Sequence, residues 1–335
     1  MKTQSSDSNY NFILVGKPLE LYRYAYMQVE SLDYAFFDSS FTQNKIVSLF
    51  NRLYWSTKIN QYITLPFKKK WLKHKIKKFI QLRESMPAPK KPICFLLFST
   101  CVPWEKFDFS AMLKKTFPDC KIIYYFSDLV EINPIRKKFV QEIPNSIDLI
   151  YTYDLGDARK YNLRYYHFPY SDISDIYPKH SPMFDISFVG QAKNRLNEIV
   201  DAYTILRDKG YTCDFYVVGV PRKKQILKKE IHYCNWISYK RYLKIVQNSK
   251  VILEVVQKNS RGSSVRVNDA IVFKKVLISN NPFLRDDPLF SESYIYIYET
   301  LNELAKFQLI PHAIFPKKYT LYPSEFFKRI TNDLK

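Results

Sequence analysis

Short apolar runs alternate with stretches of helical periodicity along most of the chain. In the first half, apolar runs with the length of buried strands lie at 11–16, 34–37, 93–100, 121–128 and 148–154. Apolar positions at helical spacing predict helices over 42–65, 66–85 and 109–117. Strands that alternate with helices indicate a parallel α/β domain, here over roughly residues 10–170.

The same pattern restarts after residues 167–182, a segment rich in proline, serine and aspartate that predicts a domain boundary near residue 175. Predicted strands follow at 185–191, 214–219, 251–256, 276–279 and 293–298. Predicted helices follow at 196–210, 239–250, 265–275, 301–308 and 325–333. We therefore expect two βα domains, residues 1–175 and 176–320, and a closing helix within 321–335 that packs back on the first domain.

Residues 251–281 form the clearest strand–turn–helix–strand unit of the chain. The residues of its polar turn are Gly262, Ser263 and Ser264. The helix start that follows offers backbone N–H groups to an anion, and Arg266 and Asp269 share one helical face. Such a unit suits a phosphate and a sugar diol. It equally suits a surface helix with a capped start and a local ion pair.

Two earlier strand ends of the second half carry similar residues. The first offers Gly190 and Gln191 with Arg195 close behind, and the second offers Gly219 with Arg222. The carboxyl ends of parallel strands meet at one edge of a sheet, so three such loops would converge there. Glycines and cations at one edge favour a diphosphate ligand.

The strand ends of the first half carry carboxylates instead: Asp38, Asp128 and Asp154, with Glu105 following a further strand. Carboxylates at the edge of a sheet can deprotonate an acceptor hydroxyl. Aspartate after a strand is equally suited to capping the next helix.

The formal net charge of +20 indicates an anionic partner, and the most basic segment is the predicted helix at 66–85. Lysines surround an apolar stripe on that helix, and a tryptophan lies at its edge. The residues expected to face an anionic membrane are Lys69, Lys70, Trp71, Lys73 and Lys77. The alternative is a domain helix that buries the stripe and leaves its lysines in solvent.

Several functional classes lack their motifs. The chain contains no G-x-G-x-x-G, no P-loop, no G-x-S-x-G and no H-E-x-x-H sequence. Its five cysteines include no C-x-x-C pair, and its five histidines are scattered. We expect neither a metal nor a cofactor. No run approaches the ~18 apolar residues of a membrane span, so a cytoplasmic protein is expected.

The two βα domains, the Val-Gly strand end at 189–190 and the segment ILEVVQ…RGSSVRVNDAIVFKKVLISNN resemble GT-B glycosyltransferases of bacterial surface-polysaccharide and lipopolysaccharide assembly. The resemblance covers most of the chain in architecture and residues 185–281 in sequence. It implies two Rossmann-like domains that face each other across a cleft. The C-terminal domain would bind a nucleotide-sugar donor, and the N-terminal domain would bind the acceptor.

The resemblance also implies roles for residues. The turn at 262–264 would contact the phosphates, and Asp269 would contact the nucleotide ribose. Many retaining members carry two glutamates separated by seven residues here, whereas this chain has Arg261 eight positions before Asp269. That departure leads us to expect an inverting enzyme whose general base comes from the N-terminal domain, with Asp38 and Asp128 as the candidates.

The expected function is transfer of a sugar, of the hexosyl class, from a nucleotide-sugar to a glycolipid or polysaccharide intermediate. The enzyme would act without a metal and as a peripheral protein at the inner face of the cell membrane. The alternative is a basic nucleic-acid-binding protein. It is disfavoured because no recognisable module is present, and because the charge concentrates in one helix and in strand-end loops. No nucleic-acid partner is therefore expected.

Overall fold

The computed structural model describes residues 9–16, 20–27, 34–38, 54, 66–86, 90–176, 181–257 and 261–335, and only the backbone of 34–38. The helix predicted at 42–65 lies outside the described residues except for Tyr54. The chain divides into two compact units: unit 1 comprises residues 1–169 and 323–335, and unit 2 comprises residues 170–322. The division falls close to the boundary predicted near residue 175.

Unit 1 is built on a six-stranded parallel sheet. Its strands are β1 (Asn11–Gly16), β2 (Tyr34–Asp38), β3 (Ile93–Phe98), β4 (Lys121–Phe126), β5 (Leu149–Thr152) and β6 (Arg164–Tyr165). Their order is β2-β1-β3-β4-β5-β6, with every pair parallel. The five predicted strands of the first half are confirmed. The two-residue strand β6 was not predicted, because two residues carry no readable pattern.

The helices described in unit 1 are α1 (Glu20–Ala25), α2 (Lys68–Glu84), α3 (Val102–Glu105), α4 (Phe109–Thr116), α5 (Pro134–Gln141), α6 (Leu155–Tyr161) and α11 (Pro323–Asp333). Helix α2 buries Leu72, Ile76 and Phe79 in the core of unit 1. On the closing helix α11, Phe327 stacks on Phe12 of β1 with ring centroids 4.2 Å apart.

Unit 2 is built on a second six-stranded parallel sheet. Its strands are β7 (Phe184–Gln191), β8 (Cys213–Val218), β9 (His232–Cys234), β10 (Ser249–Glu254), β11 (Val276–Ser279) and β12 (Ile295–Ile297). Their order is β12-β11-β10-β7-β8-β9. The chain therefore winds outward from β7 in one direction, then returns to β10 and winds in the other. The carboxyl ends of β7 and β10 form the topological switch point at which doubly wound sheets bind ligands.

The helices of unit 2 are α7 (Leu196–Asp208), α8 (Tyr239–Gln247), α9 (Val265–Phe273) and α10 (Leu301–Leu304). All four were predicted, although α10 ends sooner than expected. Unit 2 has its own core, in which α7 packs Ile199, Ala202 and Leu206 beneath the sheet. Two Rossmann-like βα domains, the predicted α/β architecture, are thus confirmed.

Candidate functional site in unit 2

Two arginines lie at the switch point of the unit 2 sheet. Arg195 immediately precedes α7, in the loop after β7, and Arg266 lies in the first turn of α9, after β10. Arg266 donates from Nη2 to the carbonyl of Val189 on β7 (2.5 Å). Arg195 donates from Nη1 to the carbonyl of Val255, just beyond β10. Each guanidinium therefore reaches across to the other strand of the switch point.

Gly190 makes room for the guanidinium of Arg266. A Cβ at this position would lie 2.9 Å from Nη2 of Arg266 and 3.1 Å from the Phe188 ring. The Nε atom of Arg266 is buried and has no hydrogen-bond partner among the described residues. An unpaired buried donor costs about 1–3 kcal/mol, and an anion that accepted from it would offset that cost.

Arg195 is the more buried of the two, with 8% of its surface exposed. Its Nη2 donates to the carbonyl of Gln191 (2.5 Å), and its Nε has no hydrogen-bond partner in the described part of the chain. Burial, followed by the nearby charge of Arg266, lowers the pKa of the Arg195 guanidinium. Two neighbouring cations, each with an unsatisfied donor, are suited to an anion with several oxygens.

The turn before α9 is fixed by a buried hydrogen-bond network. Glu254, fully buried at the end of β10, accepts from the hydroxyls of Ser264 and Ser279, the latter at 2.5 Å. Asn281 donates from Nδ2 to the carbonyl of Gly262 (3.1 Å). The network fixes the start of α9 and therefore the position of Arg266 in its first turn. It also orients Ser264, whose Oγ accepts from the backbone N–H of Arg266 (3.1 Å).

Sequence reasoning missed Glu254, Ser279 and Asn281. A usable signal was present, because each polar residue directly ends or follows an apolar strand on the same sheet edge as the turn at 262–264. The structure thus brings together Gly190, Gln191, Arg195, Gly262, Ser264 and Arg266. Ser263 is buried within the same turn.

Beside the arginines, a cavity of about 340 Å³ opens at the carboxyl ends of β10, β11 and β12. Its lining residues are Glu198, Val256, Gln257, Asn280, Asn281, Pro282, Phe283, Tyr298, Glu299, Thr300 and Leu301. Glu198 lies one turn beyond Arg195 on α7, and Val256 follows the carbonyl that Arg195 contacts. Two residues that line the cavity are therefore close neighbours in sequence of Arg195 and of the residue that Arg195 contacts. Its volume lies at the lower end of the range for small-molecule sites.

Asp269 does not face this edge. Its side chain is fully buried, and its oxygens accept from the hydroxyls of Tyr170 (2.7 Å), Tyr239 (3.4 Å) and Tyr242. Burial raises the pKa of Asp269 to about 6, and the three hydroxyls and Arg266 limit the rise. A carboxylate with no exposed surface cannot contact a ribose. The predicted ribose contact is therefore wrong in this structure, and Asp269 anchors α9 instead.

Gly219 and Arg222 lie on another part of the sheet. Both follow β8, which flanks β7 on the side away from β10. Gly219 has a left-handed backbone conformation (φ 78°) and donates from its N–H to Cys234 (2.9 Å), while Arg222 is exposed. The three predicted loops therefore do not all converge on the switch point.

In unit 1, the candidate general bases are placed as follows. Asp38 ends β2, opposite Gly16 of β1, and its side chain lies outside the described residues. Asp128 follows β4, is 61% exposed, and pairs with Arg136 through Oδ2 (3.0 Å). Asp154 is buried and accepts a hydrogen bond from the N–H of Asp157 (2.8 Å). It therefore caps α6, which is the structural role that the sequence offered as the alternative to catalysis.

Glu105 is likewise held by hydrogen bonds within unit 1. It is largely buried at the end of α3 and accepts from Tyr124 (2.5 Å) and from the hydroxyl of Ser110 (2.6 Å). Burial raises the pKa of Glu105, while these hydrogen bonds oppose the rise.

Trp71 of α2 lies between the core of unit 1 and the solvent. Trp71 is half-buried and packs against Trp104, with ring centroids 5.9 Å apart, and the ammonium of Lys75 lies 3.9 Å from its ring centroid. Part of Trp71 is therefore covered by the core of unit 1, because the apolar stripe of the helix is wide enough to include it, and its contact with a membrane stays a prediction. Lys69 is exposed and pairs with Asp108 (2.8 Å).

Within the described ranges, no three His, Cys, Asp or Glu side chains are grouped so that they could hold a metal ion. Over the same residues, no helix combines the length and the apolar character of a membrane span.

No protein-family model matches the chain, and no curated protein matches it in sequence. Solved structures do match its fold. A UDP-forming α,α-trehalose-phosphate synthase from Burkholderia xenovorans is 9% identical with a TM-score of 0.57, covering 97% of this chain and 98% of the other. The UDP-GlcNAc 2-epimerase of Neisseria meningitidis, bound to UDP-GlcNAc, is 10% identical with a TM-score of 0.53, covering 96% and 98%.

A third structure, Anabaena HepE in complex with UDP and glucose, is 10% identical with a TM-score of 0.51, covering 96% of this chain and 95% of the other. At these identities the similarity shows the fold, which is the predicted GT-B class.

Proposed function

We propose that this protein is a glycosyltransferase that takes a sugar from a nucleotide-sugar donor, with unit 2 as the donor-binding unit. The observation that carries the proposal is the arginine pair at the switch point. Arg195 and Arg266 each keep a buried Nε donor without a partner in the described chain. A diphosphate offers several oxygen acceptors and a charge that would compensate the two cations.

The adjacent cavity supplies the second part of a donor site. A volume of about 340 Å³ accommodates a nucleoside. Glu198 and Glu299 line this cavity, so a carboxylate there would take the ribose role that the resemblance gave to Asp269. The three similar structures are a UDP-forming synthase, an epimerase bound to UDP-GlcNAc and a protein in complex with UDP and glucose, which makes uridine nucleotides the first donors to test.

The reaction that we propose is an inverting displacement without a metal. A carboxylate of unit 1, Asp38 or Asp128, takes the proton of the acceptor hydroxyl, and the resulting oxygen attacks the anomeric carbon. The bond from that carbon to the diphosphate breaks, and its electron pair leaves with the nucleoside diphosphate. The guanidiniums of Arg195 and Arg266 stabilise the developing charge, which is a role that a metal ion fills in other enzymes.

We further propose that the acceptor is a lipid-linked or polysaccharide intermediate of the bacterial surface, reached from the inner face of the membrane. Lys70, Lys73 and Lys77 of α2 are exposed, and none forms an ion pair with the described residues. Phe67, directly before the helix, is 76% exposed and offers a more exposed apolar contact than Trp71. Exposed cations beside an aromatic ring favour an anionic lipid surface.

The experiment is a donor panel of UDP-, GDP-, dTDP- and CMP-sugars, with slow hydrolysis of the donor as the readout. We compare the wild type with Arg195→Gln and Arg266→Gln. Arg207→Gln is the matched control, because Arg207 is exposed at the other end of α7. We expect hydrolysis of one donor class, reduced roughly 10- to 100-fold in the first two variants, since a charge-assisted hydrogen bond contributes about 1.5–3 kcal/mol.

Full activity in both variants would show that the donor site is elsewhere. Salt-sensitive binding of an oligonucleotide, with no response to any nucleotide, would favour the nucleic-acid-binding alternative.

A further inference from the structure

A cationic surface lies on unit 2, in the connection from β8 to β9. All residues from 221 to 230 except Gln225 are exposed. The cations of this connection are Arg222, Lys223, Lys224, Lys228 and Lys229. None of them forms an ion pair with a described residue, and the only acidic residue between 221 and 231 is Glu230.

The connection is held in place by the edge of the sheet. The hydroxyl of Tyr233 on β9 donates to the carbonyl of Ile226 (2.7 Å) and accepts from its N–H (3.2 Å). Gln225 donates from Nε2 to the carbonyl of Val220 (3.0 Å), and Ile231 is buried in the core of unit 2. The exposed residues between these anchors are therefore presented on a fixed backbone.

Large apolar side chains point to solvent within this surface. Ile226 is 44% exposed and Leu227 is 36% exposed. The backbone of Leu227 is left-handed (φ 51°). Trp236 is 72% exposed just beyond β9, and the hydrogen bond from Gly219 to Cys234 joins the starts of the two loops. Two exposed aliphatic residues thus lie between cations on both sides, with an exposed indole on the neighbouring loop.

We propose that this surface, residues 221–230 with Trp236, contacts an anionic lipid bilayer. The cations would neutralise lipid headgroups, while Ile226, Leu227 and Trp236 enter the interfacial layer. Ile226 and Leu227 between the cations favour a bilayer, whose interfacial layer can take up aliphatic side chains, over a nucleic acid, which offers phosphates and base faces but no apolar layer. The proposal concerns a different unit from α2 and does not depend on glycosyl transfer. It also gives Arg222 a role other than the predicted donor contact.

The test is sedimentation of the full-length protein with vesicles of phosphatidylglycerol and phosphatidylcholine, and with phosphatidylcholine alone. One variant changes Lys223, Lys224, Lys228 and Lys229 to Gln, and a second changes Ile226 and Leu227 to Ser. The matched control changes four exposed lysines elsewhere on unit 2 to Gln: Lys209, Lys244, Lys274 and Lys306. The two test variants and the control are also made in a protein in which Lys70, Lys73 and Lys77 are changed to Gln. This background removes the proposed contribution of α2.

We expect both test variants to weaken partitioning to anionic vesicles at least tenfold relative to the control in both backgrounds. The fluorescence of the wild type should shift to the blue on binding, and Trp236→Phe should remove most of that shift. Unchanged partitioning of the lysine variant would overturn the proposal. Loss through the lysines alone, with tight oligonucleotide binding and no effect of Ile226→Ser and Leu227→Ser, would assign the surface to nucleic acid and equally overturn it.

Discussion

The buried carboxyl group of Asp269 should make the stability of unit 2 fall as the pH rises through mildly acidic values. Its pKa rises from 3.8 to about 6 in the folded protein, chiefly because the side chain is fully buried. Between these two values the folded state holds a proton that the unfolded chain has lost. Stability therefore decreases with increasing pH over this window, which is opposite to the effect of a salt-bridged carboxylate.

The size of the effect follows from the same two values. One pKa unit corresponds to about 1.4 kcal/mol, so the contribution of Asp269 should approach about 3 kcal/mol well below pH 3.8. Between pH 4 and pH 6.5 it should fall by roughly 2 kcal/mol. Asp269→Asn removes the titration and keeps an acceptor oxygen for the tyrosine hydroxyls. The free energy of unfolding of the wild type, minus that of the variant, should therefore step downward between pH 4 and pH 6.5.

The assay is urea unfolding of the full-length protein at several pH values from 4 to 7.5, for the wild type and for Asp269→Asn. All other titrating groups are common to both proteins and cancel in the difference. Asp208→Asn, at the exposed end of α7, controls for the loss of one acidic group. A flat difference would refute the raised pKa, and an upward step would show that the three hydroxyls stabilise the ionised form more than burial opposes it.

Three further results are expected. Tyr242→Phe removes a donor to Asp269, so the pH step should move to higher pH in the same unfolding assay. Gly190→Ala places a Cβ 2.9 Å from Nη2 of Arg266, so calorimetry should show weaker binding of a nucleoside diphosphate with little change in melting temperature. An unchanged affinity would mean that the guanidinium adapts freely. Asp333→Ala leaves a buried tyrosine hydroxyl without its acceptor and should destabilise unit 1 by about 1–3 kcal/mol in urea, whereas a neutral result would show that this hydrogen bond adds nothing to stability.

The fold could be predicted from the sequence because its strands are long and continuously apolar. Strand β3, for example, buries all six of its residues and carries the pattern of a central parallel strand. The short helices α1, α3, α5 and α6 were not predicted, since one or two helical turns show periodicity only where their apolar positions happen to be regular, as they are in α4. For α5 a start signal was available in Asn133 followed by Pro134, and the Asn133 side chain does cap the helix.

The site was only partly predictable. Arg195 and Arg266 could be placed at the switch point because each lies where an apolar strand is followed by the start of a helix. The burial of Asp269 could not be foreseen, because two of its hydroxyl partners lie at Tyr170 and Tyr242, far from it in sequence. Similarly, periodicity places Trp71 at the edge of a stripe, but only packing against Trp104 decides that it turns inward.

The central claim is that Arg195 and Arg266 bind the diphosphate of the donor. The most direct measurement is calorimetric titration of the wild type, Arg195→Gln, Arg266→Gln and the control Arg207→Gln with UDP and with uridine, repeated with the nucleotide that the donor panel selects. We expect the wild type and the control to bind the diphosphate far more tightly than the nucleoside. In Arg195→Gln and in Arg266→Gln the affinity for the diphosphate should fall roughly tenfold or more, while the affinity for the nucleoside is kept. An equal preference for the diphosphate in all four proteins would contradict the account.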